Sequence, residues 1–329
     1  MGTKLKKKGI RASVFIGPLI AAILVAVIVG FTTDRFWNLG NLSNLSLAVS
    51  ITALMAIGST LVIFTGGIDL SIGSMIALIT MAMSTLIKFE GWPVIAGLLF
   101  AVILGAILGA FNGLFSAYLK VPSFVATLAG LSIFKGMAYL FNNGSPIFSI
   151  AENFEVFFYG KLFGIIPLPF IYVAIFYIFF VLYMNYSKLG REIYAVGGNE
   201  IAAKFSGINV KKVKFITFVI AGAMAGIASI LMASRLNSGS PNYGSGMELS
   251  AIAAAVIGGA SLLGGRGNII NTLLGALIIT IVQNGLNLNA VPTSLQSVTI
   301  GIIILIAVLI DMWKTEVAEL FKKLSGKKS

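Results

Sequence analysis

The segment LSLAVSITALMAIGSTLVIFTGGIDLSIGSMIALITMAMSTLI, residues 45–87, carries two long apolar runs separated by a short polar turn. Each run approaches the roughly 20 apolar residues that a helix needs to cross a bilayer. The turn between them holds two glycines and one acid, Asp69. Apolar runs of this length recur along the chain, so the sequence predicts an all-α polytopic membrane protein.

The composition supports the same fold class. Of 329 residues, 58% are hydrophobic and only 10% are charged, whereas soluble domains average about 25% charged residues. Cysteine and histidine are both absent, which removes thiolate ligands and the commonest metal ligand and general base. We therefore expect no metal site, no catalytic residues and no enzyme activity.

Ten apolar segments are interpreted as spans. They are 14–31, 45–64, 70–87, 93–112, 121–141, 165–185, 214–233, 248–263, 268–286 and 295–311. The eighth is short and rich in small residues, so a half-helix is an alternative to a full crossing. We expect one membrane domain over 14–311, with a basic N-terminus at 1–13, a connecting loop at 186–213 and a basic C-terminal tail at 312–329.

The basic residues are distributed unequally between the two sides. Eighteen of the 23 lysines and arginines share a side with the N-terminus, four lie opposite, and Lys135 falls within a span, where it is expected to snorkel to the headgroups. Since basic residues favour cytoplasmic loops, both termini and the loop 186–213 are predicted to be cytoplasmic. The asymmetry explains the net charge of +12, so lipid rather than nucleic acid is the expected partner.

A weak internal repeat relates the two halves of the chain. Asn112-Gly113-Leu114 matches Asn284-Gly285-Leu286, and Val121-Pro122 matches Val291-Pro292. Five spans per half is an odd number, so the halves would have inverted topology, a common plan in transporters. Coincidence in an apolar sequence of low complexity is the alternative.

Several polar residues near span ends are candidates for a substrate path. They are Asp69, Asn112, Glu248, Asn284 and Asn287. An ionisable group at membrane depth is costly and points to function by default. Each residue also has a structural interpretation: Asp69 as N-cap of a helix that begins at Leu70, Glu248 as a favourable charge at a helix start, and the amides as links between helices.

The loop 186–213 contains a short helix signal. Gly197-Gly198 precedes Asn199, a good N-cap, and Gly207 follows as a stop signal. The predicted helix is Glu200–Ser206. Held between glycines and flanked by lysines, it could dock into a groove on a partner protein; a solvated connector is the alternative. The glycine run 258–267 is predicted to be a tight turn, because the phosphate-loop pattern GxxxxGK[ST] is absent from the chain.

Taken together, four stretches resemble a known family. They are LVIFTGGIDLSIGSMIAL (61–78), GREIYAVGGNEIAAKFSGINV (190–210), ELSAIAAAVIGGASLLGGRGNIINTLLGALI (248–278) and QNGLNL (283–288). The chain resembles the membrane permease subunits of ATP-binding-cassette monosaccharide importers, in the ribose/xylose/galactose and branched-chain amino acid permease superfamily. NNGSPIF (142–148) favours the ribose permeases, so D-ribose is the expected substrate.

The resemblance implies a homodimer of permease chains, two cytoplasmic ATPase subunits and an extracytoplasmic sugar-binding protein, in the plasma membrane of a bacterium. ATP and Mg would bind the partner ATPase, and no cofactor would bind this chain. The coupling helix to the ATPase would be formed by Glu200, Ala202, Ala203, Lys204 and Gly207. One departure is that Ile201 occupies the acid position of the EAA pattern common in importers. An ion-coupled transporter, another sugar or a furanosyl signal compound, and a membrane-embedded enzyme are the rival hypotheses.

Overall fold

The computed structural model describes residues 13–164 and 166–324, and this part of the chain is almost entirely helical. The helices are α1 Ser13–Thr32, α2 Leu39–Phe64, α3 Ile72–Lys88, α4 Val94–Gly113, α5 Ser123–Leu140, α6 Val156–Tyr159, α7 Leu168–Tyr186, α8 Lys188–Gly198, α9 Glu200–Phe205, α10 Val210–Leu236, α11 Met247–Ile257, α12 Ile269–Leu288 and α13 Thr293–Leu324. Two-residue strands β1 Ile147–Phe148, β2 Lys161–Leu162, β3 Ile166–Pro167 and β4 Ser238–Gly239 form the antiparallel pairs β1–β4 and β2–β3.

Eight helices of the described residues are long and apolar enough to cross a membrane, rather than the ten full spans predicted. They are Phe15–Thr32, Leu39–Phe64, Val94–Tyr118, Ser123–Gly144, Leu168–Tyr186, Val210–Leu236, Ile269–Leu288 and Thr293–Ile310. The predicted spans 70–87 and 248–263 form the shorter apolar helices α3 and α11. The 11-residue length of α11 favours the half-helix alternative for 248–263.

Both short helices are entered through segments without regular helix. The first break segment, residues 65–71, joins α2 to α3; the second break segment, residues 237–246, joins α10 to α11. The two elements meet where Gly73 of α3 crosses Gly244. A Cβ on either glycine would collide with the backbone carbonyl of the other, and Gly244 has a φ of +74°. Only glycine permits so close a crossing.

The core is built around α2, whose most apolar 18-residue stretch is 89% buried, and around the pair α4 and α10. Gly105 and Gly109 of α4 face Phe218 and Gly222 of α10 so closely that a Cβ on either α4 glycine would meet the α10 backbone. The GxxxG spacing of these two glycines makes this packing possible, because small residues let helix backbones approach.

The basic end of the molecule, defined by α8, α9 and the turn 258–268, differs from the expected loop. Residues 188–198 form a helix of their own because Ser187 caps it by accepting a hydrogen bond from the Gly190 backbone at 2.9 Å and because Ile193 and Val196 are buried. The predicted C-terminal tail also differs, since α13 continues to Leu324. The predicted basic N-terminus lies outside the described residues except for Ser13, as do tail residues 325–329.

Candidate coupling and transport site

Helix α9 begins and ends where the local sequence predicts. The side chain of Asn199 accepts a hydrogen bond from the Ala202 backbone at 2.9 Å, which is the N-cap geometry. At the other end Gly207 has a φ of +80° and open space around its Cα, the left-handed conformation that ends many helices. The helix covers Glu200–Phe205, one residue shorter than predicted.

Helix α9 is anchored on one side and bare on another. Ala203 is buried, and Glu200 forms an ion pair with Lys214 at the start of α10, 2.5 Å from carboxylate to ammonium. Ile201 and Phe205, one helical turn apart, are 69% and 88% exposed. Two exposed apolar side chains on one face of a short capped helix form a small patch that a partner protein could cover. The solvated connector stays the alternative.

A cavity of about 1170 Å³ separates α9 from the membrane helices. Its walls come from the first break segment, from the turn before α5 and from α9 with the start of α10. Four lysines and one glutamate line it: Lys120, Lys204, Lys211, Lys214 and Glu200. The cavity is thus bordered both by helix α9 and by the connection between α2 and α3.

The glycine run 258–267 forms the close-packed turn that the sequence predicts. The backbone N–H of Gly265 donates to Phe64 O at 2.9 Å, and the Tyr194 hydroxyl of α8 donates to Gly267 O at 3.1 Å. Burial raises the pKa of Tyr194 to about 12, so its hydroxyl stays protonated as a donor. This turn fastens α8, and through it α9, to the end of α2.

The first break segment contains a buried polar chain. Asp69 Oδ1 accepts hydrogen bonds from the Ser71 backbone at 2.8 Å and the Ser71 hydroxyl at 2.7 Å, and Asn112 Nδ2 donates to that hydroxyl at 2.7 Å. The second carboxylate oxygen of Asp69 has no hydrogen-bond partner. The predicted N-cap role of Asp69 is wrong: α3 begins at Ile72, and Asp69 instead closes a turn onto Ser71.

Glu248 lies in the first turn of α11, as expected for a charge at a helix start. Its Oε1 accepts a hydrogen bond from the Gly246 backbone at 3.2 Å, and the carboxylate abuts Gly73 of α3. It also interacts electrostatically with Lys135 of α5. The predicted snorkelling of Lys135 is wrong, because its ammonium bonds Pro241 O at 2.6 Å and Ser245 Oγ at 2.9 Å.

The remaining candidate amides connect helices. Asn284 of α12 exchanges two side-chain hydrogen bonds with Asn41 of α2, at 2.8 and 3.0 Å. Asn287 accepts a hydrogen bond from Gln296 of α13 at 2.9 Å. Both residues thus make the interhelical contacts that were the alternative to a path role, and a path role for them stays a prediction.

The candidate path residues therefore do not form one cluster. Asp69 and Asn112 meet through Ser71, Glu248 lies beside the second break segment, and Asn284 and Asn287 serve helix contacts. Sequence reasoning missed Ser71 and did not find the partners of Lys135. The sequence did contain a signal for the partners of Lys135: a lysine lies inside an apolar span, and a charge at membrane depth needs a partner.

Comparison with known proteins identifies the class to which this arrangement belongs. The chain belongs to the family described as "Branched-chain amino acid transport system / permease component", which it matches over residues 41–308. This confirms the family resemblance and makes the chain a multi-pass membrane permease component rather than an enzyme. No solved structure matches it.

Individual relatives narrow the class. The chain is 40% identical over 297 residues to the ribose import permease protein RbsC of Escherichia coli (strain K12), covering 89% of this chain and 92% of the relative. It is 41% identical over 306 residues to the RbsC protein of Bacillus subtilis (strain 168), covering 91% and 93%. It is 35% identical over 292 residues to the D-allose transport system permease protein AlsC of Escherichia coli, covering 89% of each.

Proposed function

We propose that this chain is the permease subunit of an ATP-binding-cassette importer that carries a monosaccharide, D-ribose first among them, into the cytoplasm. The observation that carries the proposal is the near full-length similarity to ribose import permeases in two bacteria. In this proposal ATP and Mg bind a partner ATPase, in keeping with the absence of a phosphate-loop pattern from this sequence. Other aldoses such as allose or xylose are the competing substrates, as the names of further relatives suggest.

Helix α9 is the proposed docking element for the ATPase. Its Ile201 and Phe205 would enter the partner, while Ala203 and the Glu200–Lys214 ion pair keep the helix fixed to the permease. Lys204 and Gly207 complete the coupling helix, with Ala202 held by the Asn199 cap. Movement of the ATPase would then push on α8 and on the first break segment across the shared cavity.

The proposed topology is two inverted halves with both termini cytoplasmic and one membrane domain over 14–311. Eight long helices, the 17-residue helix α3 and the 11-residue helix α11 together supply the ten proposed membrane segments. Gly73 and Gly244, which cross each other, are separated by about 170 positions, the same offset as the sequence repeat. Residues related by a pseudo-two-fold axis meet where they lie on it, so this crossing supports inverted halves.

The substrate path is proposed to run along the two break segments, with Asp69, Asn112 and Glu248 as its polar residues. Interrupted helices build the substrate sites of many transporters because their ends leave backbone groups free. A second copy of this chain and an extracytoplasmic sugar-binding protein complete the proposed importer. The helix α13, only 6% buried within its apolar stretch, leaves ample surface for lipid or for the second copy.

The test is uptake of labelled D-ribose into liposomes that contain the chain with its ATPase, with binding protein outside and ATP inside. Uptake that requires ATP and survives collapse of the membrane potential is expected. Uptake that follows the potential instead would show an ion-coupled carrier, the second candidate. Uptake of allose or xylose but not ribose would keep the mechanism and replace the substrate.

The docking element has its own matched control. Phe205 in α9 and Phe163 at the opposite end are almost equally exposed, at 88% and 86%. We expect Phe205→Ala to reduce copurification of the ATPase at least about fivefold, since exposed aromatic anchors dominate interfaces, and Phe163→Ala to leave it unchanged. Equal copurification of both variants would remove α9 as the docking site.

A further inference from the structure

The second break segment travels deep beside α3 without being helical. At one end Gly239 packs against Thr80 and Ser84, and at the other Gly244 packs against Gly73. The stretch of α3 between residues 73 and 84 rises about 16 Å, roughly half of the hydrocarbon thickness of a bilayer. Backbone groups at such a depth need partners inside the protein, because lipid supplies none.

Helix α5 supplies the polar partners that come from a neighbouring membrane helix. The Lys135 ammonium donates to Pro241 O at 2.6 Å and to Ser245 Oγ at 2.9 Å. One turn further along α5, the Tyr139 hydroxyl donates to Asn242 Oδ1 at 2.6 Å. Lys135 thus holds two points of the segment, four residues apart, with a single charged group.

An acidic residue lies close enough to Lys135 to interact with its charge. Glu248, which follows the segment as the second residue of α11, interacts electrostatically with the ammonium. An ammonium that gives charge-assisted hydrogen bonds to a carbonyl and a hydroxyl is a stronger tie than a neutral donor would be. Because its carboxylate partner abuts Gly73, the cluster connects α3, α5 and α11 at one place.

The same cluster opens onto the exposed face of α5. Only 28% of the α5 apolar stretch is buried, and Tyr139 is 43% exposed. Asn242 and Ser245 are exposed as well. Tyr139, Asn242 and Ser245 are therefore not enclosed by the helices of the chain itself, so groups outside the chain can contact them.

We propose that Lys135 is a positioning residue that pins the second break segment to α5, and that this contact must open for the substrate to pass. The first half of the statement concerns the structure of the chain alone. The second half rests on the proposed transport function. Lys135 is not assigned contact with the sugar; it acts by fixing where the segment and Glu248 lie.

Hydrogen exchange tests whether Lys135 holds the second break segment, and it requires no transport. In the full chain in lipid nanodiscs, Lys135→Met is expected to speed exchange of the backbone amides of residues 242–247 at least about tenfold, as a lost local tie increases opening. Lys135→Arg, which keeps a charged donor, should restore most of the protection. The control is Lys161→Met, an exposed lysine at the same end, which should change nothing there. Unaltered exchange in Lys135→Met overturns the proposal.

Cross-linking tests whether the contact must open. The chain has no cysteine, so Tyr139→Cys with Asn242→Cys makes a unique pair at a hydrogen-bonded contact. In ATP-loaded liposomes with the complete importer, a short reducible bifunctional reagent is expected to lower sugar uptake at least about fivefold, and reduction to restore it. Each single variant treated with the same reagent serves as control.

The outcomes separate the two proposals. Cross-linked chains that carry sugar at the rate of untreated chains show that the contact need not open, and the inference fails. An unmodified chain that carries no sugar under ATP refutes the proposed function, and with it the requirement for opening, while the exchange experiment still decides whether Lys135 holds the segment.

Discussion

The two break segments perform the same structural task with opposite chemistry. In the first, Asp69, Ser71 and Asn112 are at most 2% exposed, and the buried Thr127 of α5 donates a partly buried hydrogen bond to Ile68 O at 3.2 Å. In the second, the ties to α5 come from Lys135 and Tyr139, which are partly exposed. The side-chain hydrogen bonds of the first segment are thus buried, although its start borders the cavity beside α9, whereas those of the second segment are partly exposed.

This difference bears on which segment moves. Breaking a buried hydrogen bond leaves its groups without partners in a low dielectric, which costs much more than replacing an exposed bond by one to water. The second break segment is therefore the one whose contacts can open at low free-energy cost. The first, which borders the cavity beside α9, is suited to carry a push from the coupling helix as a rigid element.

The largest expected effect concerns the point where the two elements cross. Gly244 and Gly246 both have positive φ, +74° and +79°, but a Cβ collides with the Gly73 backbone only at Gly244 and meets open space at Gly246. We expect Gly244→Ala to destabilise the chain by about 3 kcal/mol or more, from strain and overpacking together. Gly246→Ala should cost only about 1 kcal/mol.

The measurement for this pair is the temperature at which half of the chain in nanodiscs loses its monodisperse form. Since both substitutions carry the same backbone penalty, the difference between their midpoints isolates the collision. Equal midpoints would mean that the crossing of Gly73 and Gly244 is not tight in the membrane, and the two segments would then be independent.

A smaller difference in stability is expected between substitutions of the two acidic residues, Asp69 and Glu248. Asp69→Ala leaves the buried backbone N–H and hydroxyl of Ser71 without an acceptor, for an expected loss of about 2 kcal/mol. Glu248→Ala frees the exposed Gly246 N–H and removes an electrostatic interaction with Lys135. We expect a loss below about 1 kcal/mol, because the freed backbone group is exposed. Asp69→Asn, which keeps the accepting oxygen, is the matched control and should lie close to the parent chain.

Thermal midpoints of these three variants in one lipid composition check the ordering. If Glu248→Ala lowered the stability as much as Asp69→Ala, the hydrogen bonds of the two segments would not differ in strength as their burial predicts. A large loss in Asp69→Asn would show that the negative charge, rather than the accepting oxygen, holds the turn.

Local features of this fold could be predicted from the sequence, and contacts across the chain could not. Asn199 and Gly207 delimit α9 correctly because a cap and a left-handed glycine act within one turn. The start of α3 was placed too early, at Leu70, because Ser71 is held by Asn112, 41 positions away. Lys135 was assigned to the headgroups because its partner Pro241 lies 106 positions further on.

Helix α8 was also missed from the sequence, although part of its signal was present there. Its buried Ile193 and Val196 lie one turn apart on a single face, a helical spacing that the sequence contained. The glycines Gly190, Gly197 and Gly198 suggested a loop instead. Gly197 is in fact required by packing, since a Cβ there would collide with the backbone of Phe64 and Gly265.

A substitution at the end of α9 tests whether this helix affects the first break segment and leaves the second unchanged. Gly207→Val forces a branched side chain into a φ of +80° in otherwise open space, so the end of α9 should fray at a cost of about 1–2 kcal/mol. We expect stimulation of the ATPase by loaded binding protein to fall several-fold, with exchange increased at residues 66–71 and unchanged at 240–246. Gly198→Ala, at an open position with an ordinary backbone conformation, is the control.

If Gly207→Val left the stimulation of the ATPase by loaded binding protein unchanged, α9 would not be the coupling element. An increase in exchange at both break segments would show a global loss of stability instead of a local path from α9. Increased exchange at residues 66–71 together with unchanged exchange at 240–246 is the result that would support transmission from α9 to the first break segment.

The smallest expected effects come from one hydroxyl in each segment. Thr127→Val removes a buried donor that serves both Ile68 O and Ser123 O, whereas Tyr139→Phe removes an exposed donor to Asn242. We expect losses of about 1 kcal/mol for Thr127→Val and no more than about 0.3 kcal/mol for Tyr139→Phe, because water replaces only the second bond. Both substitutions nearly conserve side-chain volume, so packing contributes little to the difference. Midpoints in the reverse order would mean that the segment beside Tyr139 is closed to water, and that Lys135 holds a sealed contact instead of an opening one.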